Sequence, residues 1–434
     1  MGLRDLAVRG LNGVALALLA ACGALAVGCD ARPLAPMDDA QVGYLRSAPS
    51  RRAALVASLV NPRNGYSALR LARYASGDDG DWDRLDAWNP RVAAIELDAP
   101  IASALPADAR ALTLRDEATW DPSTSLVALG EAAFFRYPAQ LAPATLVALS
   151  SDDADRYGLW RDAARGVGGL VRAEVPNGAV LALTCATCHA DVVDGQLVAG
   201  LPSARFDLGL LLADAGAADA TIDANLRAWG PGRVDVTTDD ASLPERFGDL
   251  RPARFLSHLQ YDATVRQLDV VSLAIRVETL IITAHGQQLR PPRVVALALA
   301  QYLWSLADGM PAPRDVASRG RVLFEARCAT CHAGDALTSA PRPLAEIDTD
   351  PTLGLSPDRG TGFYRVPSLR GVGARPSLFH DGALPNVDAL LDPSRVTDGY
   401  RGGARGAGAV NGHSFGLDLA PSDRAALADY VRAL

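Results

Sequence analysis

Cys185-Ala-Thr-Cys188-His189 and Cys328-Ala-Thr-Cys331-His332 repeat one arrangement: two thiols three positions apart, followed at once by an imidazole. That spacing lets the thiols bond the two vinyl groups of a porphyrin as thioethers while the histidine turns under the ring to bind iron. With six Cys and six His in the chain, one such triplet is expected by chance about 0.001 times per chain. Two copies are therefore a signal. A zinc ribbon keeps its Cys pairs roughly 15–20 residues apart, whereas 139 residues separate Cys188 from Cys328. A redox dithiol explains neither histidine. The expectation is two covalent haem c groups, with His189 and His332 as proximal iron ligands.

The opposite iron ligands are harder to place. Only Met1, Met37 and Met310 occur, and none follows Cys328, where a cytochrome c places its axial Met. His380, Met310 and Tyr400 remain as candidates for the second haem beside the histidine near the C-terminus, His413. For the first haem the candidates are His285 and His258, with an open iron as the alternative that peroxide or oxygen chemistry requires. Glu278 would then move protons between peroxide oxygens; as a structural residue it would instead pair with Arg276 or another neighbour.

The elements that must position these groups read as mainly α, with two cytochrome c-like haem domains, a β-hairpin before the first motif and an N-terminal extension. The boundaries are 1–28 for a signal segment, 29–122 for the extension and linker, 123–310 for the first haem domain and 311–434 for the second. Ser50 is placed to cap a helix carrying Leu55, Val56 and Leu59. Residues 170–175 and 179–183 flank Pro176-Asn177-Gly178 and predict a hairpin around an Asn-Gly turn. Val270 to Ala284 is apolar almost all round and predicts a buried helix, with Glu278 and His285 on one face. A second helix follows Pro291-Pro292. In the last region a helix from Val316 to Arg327 carries Gly320 and Phe324. Ser422 caps a terminal helix with Leu427, Tyr430, Val431 and Leu434 inward. These two helices should cross at Gly320, bringing Phe324 against Tyr430.

Composition bounds the setting. The formal charge is −8, which makes nucleic acid an unsuitable partner. All 42 basic residues are Arg, so no Lys is available as an iron ligand or docking charge. Arg4 and Arg9 precede an apolar stretch from Val14 to Val27 that turns polar at Asp30, a secretory signal rather than a span. Cys22 and Cys29 each end a lipobox-like segment; Cys29 is the preferred lipidation site because the polar chain starts right after it. The expected location is the periplasm or cell envelope, with membrane contact through a lipid anchor only.

Arg365-Val-Pro-Ser-Leu-Arg370, Phe379-His380-Asp381-Gly382 and Gly412-His413-Ser-Phe-Gly416 resemble the C-terminal haem domain of the bacterial di-haem cytochrome c peroxidase superfamily. That superfamily includes the methylamine-utilisation di-haem enzyme and the di-haem rubber oxygenases, and the Gly-His-x-x-Gly ending is most similar to the last. The resemblance covers residues 316–434; upstream it thins to the haem motif, Trp229-Gly-Pro-Gly-Arg233 and Arg290-Pro-Pro-Arg293. It implies His413 as the distal ligand of the second haem, a structural or propionate-linked His380, and Trp229 as an inter-haem relay unless it merely packs. It further implies electron transfer with peroxidase-like reduction of hydrogen peroxide, or dioxygen chemistry of the rubber-cleaving kind, against a pure carrier with both irons six-coordinate. A small donor or acceptor of cytochrome or cupredoxin type would be the partner, and the family analogy also allows a calcium ion.

Overall fold

The computed structural model describes residues 37–77, 81–96, 105–112, 126–141, 151–176, 178–216, 220–237, 242–310, 312–313 and 318–434. Cys22, Cys29, the signal segment and most of the linker lie outside them. Three helices open the described chain: α1 (Asp39–Arg46), α2 (Ala48–Ser58) and α3 (Gly65–Arg73). Ser47, not Ser50, caps α2, its side chain accepting from the Ser50 amide, while Pro49 sits in the first turn. Leu55 is buried but Val56 is half exposed, so the inward face of α2 is narrower than its apolar residues predict.

Four short strands make the main sheet: β1 (Val92–Ala94), β2 (Gln140–Leu141), β3 (Leu170–Val175) and β4 (Gly178–Leu183), in the antiparallel order β1-β3-β4-β2. The predicted hairpin is present. Val175 pairs with Gly178, so this glycine opens the second strand rather than serving inside the turn, and its φ of +136° is one that side-chain-bearing residues avoid. β4 delivers the chain directly into a helical turn over Cys185–His189.

Two helix pairs frame the two cysteine motifs. In the first, α4 (Leu126–Arg136) crosses α6 (Arg293–Ser305), which follows the buried helix α5 (Val270–Ala284). In the second, α7 (Arg319–Arg327) crosses α8 (Pro421–Arg432). The crossings share one device. A Cβ on Gly130 would strike the Ala298 carbonyl and stand 2.7 Å from Tyr302 Cβ; on Gly320 it would strike the Ala426 carbonyl and stand 2.7 Å from Tyr430 Cβ. One turn after each glycine, Phe134 meets Tyr302 and Phe324 meets Tyr430, both with ring centroids 5.4 Å apart and tilts of 56° and 54°. The second crossing matches the expectation from Gly320. The first is its geometric copy, and 50 intervening residues between Phe134 and Cys185 hide it from a reading by spacing.

Helix starts differ in detail. Ser318 caps α7, accepting from the Arg321 amide. No side chain caps α8: Pro421, with its φ preset for the first turn, begins it and Ser422 lies inside. Asp269 forms a capping box with Ser272 at the head of α5, whose predicted bounds hold.

Candidate haem sites

The second site is built where α7 ends. Cys328 is the cap residue of α7, Cys331 and His332 return their amides to its carbonyl, and His332 thereby points into a cavity of about 470 Å³. The Leu337 carbonyl accepts from His332 Nδ1 at 3.1 Å, which fixes the ring and leaves Nε2 for a ligand bond. Burial pushes the His332 imidazole down to about 4, so the ring is neutral and able to coordinate.

His413 enters the same cavity from a strained loop. Its φ is +46°, a left-handed conformation uncommon outside glycine, and Gly412 and Gly416 on either side have φ of +84° and +87°. The strain is held by Arg395, which is wholly buried and donates to the carbonyls of Gly412 (2.8 Å), His413 (2.9 Å), Val410 (2.5 Å) and Leu390 (2.8 Å). The His413 amide also donates to the Ile347 carbonyl at 2.6 Å. Burial, with His332 and Arg395 adding to it, pushes the His413 ring down to about 4.

The imidazole centroids of His332 and His413 are 6.4 Å apart. A metal bound by two imidazole nitrogens at about 2.0–2.1 Å, each about 1.1 Å from its ring centre, sets the centroids roughly 6.3 Å apart. The two rings thus leave room for one metal ion. Around them the wall is apolar, including Val366, Leu378, Leu390 and Leu427, while Arg246, Arg365 and Arg375 line it elsewhere. An apolar slot with guanidiniums suits a macrocycle bearing carboxylate side chains, so Cys328, Cys331, His332 and His413 fit haem c.

The other second-site candidates do other work. His380 lines the cavity but stacks on Tyr364, with centroids 4.7 Å apart and a tilt of 24°, and its carbonyl accepts from the Arg246 amide. Met310 is buried and gives its carbonyl to Arg370; Tyr400 is buried in the apolar cluster of α8. Neither lines the cavity.

At the first site Thr184 and Thr187 cap the Cys185–His189 turn reciprocally, and the Trp160 indole donates to the Ala186 carbonyl. Cys185, Cys188 and His189 retain accessible surface although the fold encloses them. Burial pushes both thiols up to about 12 and the imidazole down to about 4. The Gly248 carbonyl accepts from His189 Nδ1 at 2.9 Å, so this ring is oriented as His332 is. Two neighbouring thiols and an oriented neutral imidazole fit a second haem c.

The His189 ring meets Phe247, with centroids 6.3 Å apart, and among the described residues it has no histidine opposite. His285 ends α5, with Nε2 donating to the Pro138 carbonyl at 3.0 Å and its edge against Trp88. His258 lies in a two-residue strand with Nδ1 3.0 Å from Ser257 Oγ. Glu278 is wholly buried: Oε2 accepts from the hydroxyls of Tyr44 (2.8 Å) and Tyr74 (2.5 Å), and Oε1 is 3.4 Å from Arg293. Its partner is Arg293 rather than Arg276. Trp229 ends the helix Ala220–Trp229 and packs on the apolar cluster of the first region; the aromatic ring beside His189 is that of Phe247, which no sequence signal marked.

Residues 246–249 join the two sites. Arg246 lines the second cavity, Gly248 holds His189, and the buried Asp249 pairs with Arg375 of the second cavity at 2.9 Å and with Arg251 at 2.8 Å. Burial opposes ionisation of Asp249, but Arg375 and Arg251 outweigh it and hold its carboxyl below the usual range.

Among the described residues no helix is long and apolar enough to cross a membrane, and no group of three or more His, Cys, Asp or Glu side chains is placed to hold a metal ion. Residues 317–434 match the cytochrome c family. No curated protein matches the chain.

Proposed function

We propose, from the cytochrome c domain at residues 317–434, that this chain is an extracytoplasmic di-haem electron-transfer protein with peroxidase-like reduction of hydrogen peroxide at the first centre. Haem c supplies at each site an iron that cycles between the ferric and ferrous states. The observation that carries the reading is an asymmetry: His332 has His413 opposite it, whereas among the described residues the ring against His189 is Phe247 and no second histidine faces it. Two imidazoles close the second site to exogenous ligands and suit it to storing and passing an electron. A first site held by His189 without a second imidazole would admit an oxidant to the iron. The matched crossings at Gly130 and Gly320 support a common cytochrome c-like plan for both regions.

Reduction of one hydrogen peroxide to two waters takes two electrons and two protons. The electrons would come from a small donor protein of cytochrome or cupredoxin type through the second site, with 246–249 as the covalent and hydrogen-bonded link between the sites. The test is electron paramagnetic resonance of the purified ferric protein. One high-spin and one low-spin haem are expected; two low-spin haems would make the chain a carrier. Replacing Cys185 and Cys188 together should leave one covalently stained haem on a denaturing gel.

A further inference from the structure

Helix α3 turns Tyr66, Ser67 and Arg70 inward. Arg70 is wholly buried, yet its Nε, Nη1 and Nη2 have no hydrogen-bond partner. A guanidinium carries five donors and does not give up its charge, so a bare one in the interior is a defect that folded proteins avoid. Two more guanidiniums converge on the same spot. The Cζ atoms of Arg70, Arg276 and Arg359 stand 4.8, 5.6 and 4.5 Å from the centre of the Tyr66 ring. Arg359 donates Nη2 to the Val236 carbonyl and has Nε 3.4 Å from Asp358, but neither its Nε nor its Nη1 makes a hydrogen bond. Arg276 of α5 is half-buried, and its charge acts on His189.

The acids facing this cluster are Glu245, Asp262 and Asp358, and none bonds Arg70. Burial pushes Glu245 up to about 8, so near neutral pH it stays largely protonated and does not neutralise the guanidiniums, whereas Asp262, pushed up to about 6, is largely ionised. Burial also pushes the Tyr66 phenol up, yet Arg276, Arg70 and Arg359 outweigh it and leave it below its ordinary value. An excess of buried positive charge with idle donors calls for an anion.

We infer that Arg70, Arg276 and Arg359 form a buried site for a carboxylate-class anion around the Tyr66 ring, with Arg70 supplying the otherwise idle donors. The carboxylate is either a propionate of haem held at Cys185 and Cys188, in which case the inference rests on that haem, or a small free anion admitted to the arginine cluster. Sodium formate added to the dithionite-reduced holoprotein separates the sources, because carboxylates do not ligate ferrous iron. A saturable rise in thermal midpoint, at least tenfold weaker in Arg70→Gln and Arg276→Gln, identifies a free anion. If formate has no effect, a propionate is identified when both variants shift the propionate bending band in resonance Raman and lower the reduction potential of one haem. The site is overturned if Arg70→Gln raises the thermal midpoint while the Raman band, potentials and formate response stay as in the wild type. Should Arg70→Gln not fold, Arg276→Gln decides by the same Raman, potential and formate readouts. Failure of the di-haem reading would show separately, as one haem per chain by pyridine haemochrome, with the formate arm still readable.

Discussion

His413 stands opposite His332 at 6.4 Å between ring centroids, on a backbone that only a pinned loop could hold in the left-handed region. Two neutral nitrogens favour ferric iron more than a Met thioether does, so the second haem should be low-spin and lack the near-infrared band of Met-ligated ferric haem. His413→Ala should convert one haem to high-spin or let it bind cyanide readily. His380→Ala removes a ring stacked on Tyr364 and should lower the thermal midpoint without changing spin state. The reverse pattern in absorption and paramagnetic resonance spectra would move the ligand to His380.

Arg395 positions the loop that carries His413. Its four carbonyl bonds close the loop that carries His413, and buried hydrogen bonds to a charged donor are worth about 1.5–3 kcal/mol each. Arg395→Ala should therefore destabilise the protein by at least about 3 kcal/mol in denaturant titration. It should also raise the fraction of high-spin second haem, which a purely structural arginine would not do. Arg395→Lys keeps the charge but not the fork, and should recover stability more than spin state.

The cytochrome c region, α5, the hairpin and the crossing at Gly320 are legible because each depends on local spacing: Cys-x-x-Cys-His, a continuous apolar run, alternating strands around a turn, a small residue one turn before an aromatic. Arg395, Phe247, Gly248 and Asp249 are not. Their roles arise from contacts across tens to hundreds of residues, such as Arg375 to Asp249, and nothing in their own neighbourhoods sets them apart. Glu278 shows the opposite hazard. Its place on a buried helix suggested proton chemistry, while the tyrosines and arginine that hold it come from α1, the residue after α3 and α6.

If Cys29 carries the lipid, Cys29→Ser should release haem-stained protein from the membrane fraction and Cys22→Ser should not. Release by Cys22→Ser alone would move the anchor, and no effect from either would leave simple secretion.

Glu245 predicts a pH dependence. Burial and the neighbouring Asp262 and Asp235 favour its neutral form, Arg359 and Arg276 oppose them, and the balance lifts it from 4.5 to about 8. An acid whose folded value is raised contributes stability that is complete below the unfolded value and is lost as pH rises through the folded one. Stability should fall between about pH 4.5 and 8, with Asp262 adding to the lower part of that window because its value is raised from 3.8 to about 6. Glu245→Gln should flatten the slope by up to about 1.4 kcal/mol per pH unit, measured by urea titration at several pH values. An unchanged slope would mean that Glu245 is ionised in the folded protein.

The paired crossings give the sharpest test of the two-centre plan. Gly130→Ala puts a methyl into the Ala298 carbonyl, and Gly320→Ala puts one into the Ala426 carbonyl. Neither helix pair can accept it without separating, and overpacking of this kind costs about 1–3 kcal/mol or more. The consequences should be local. Gly320→Ala should loosen the helices around His332 and weaken the low-spin signal, while Gly130→Ala should leave that signal intact and perturb the high-spin one. Haem stoichiometry and spin-resolved spectra of the two variants distinguish this from general destabilisation, in which both signals would decline together. If Gly130→Ala affects only the low-spin centre, the first crossing does not support the first haem.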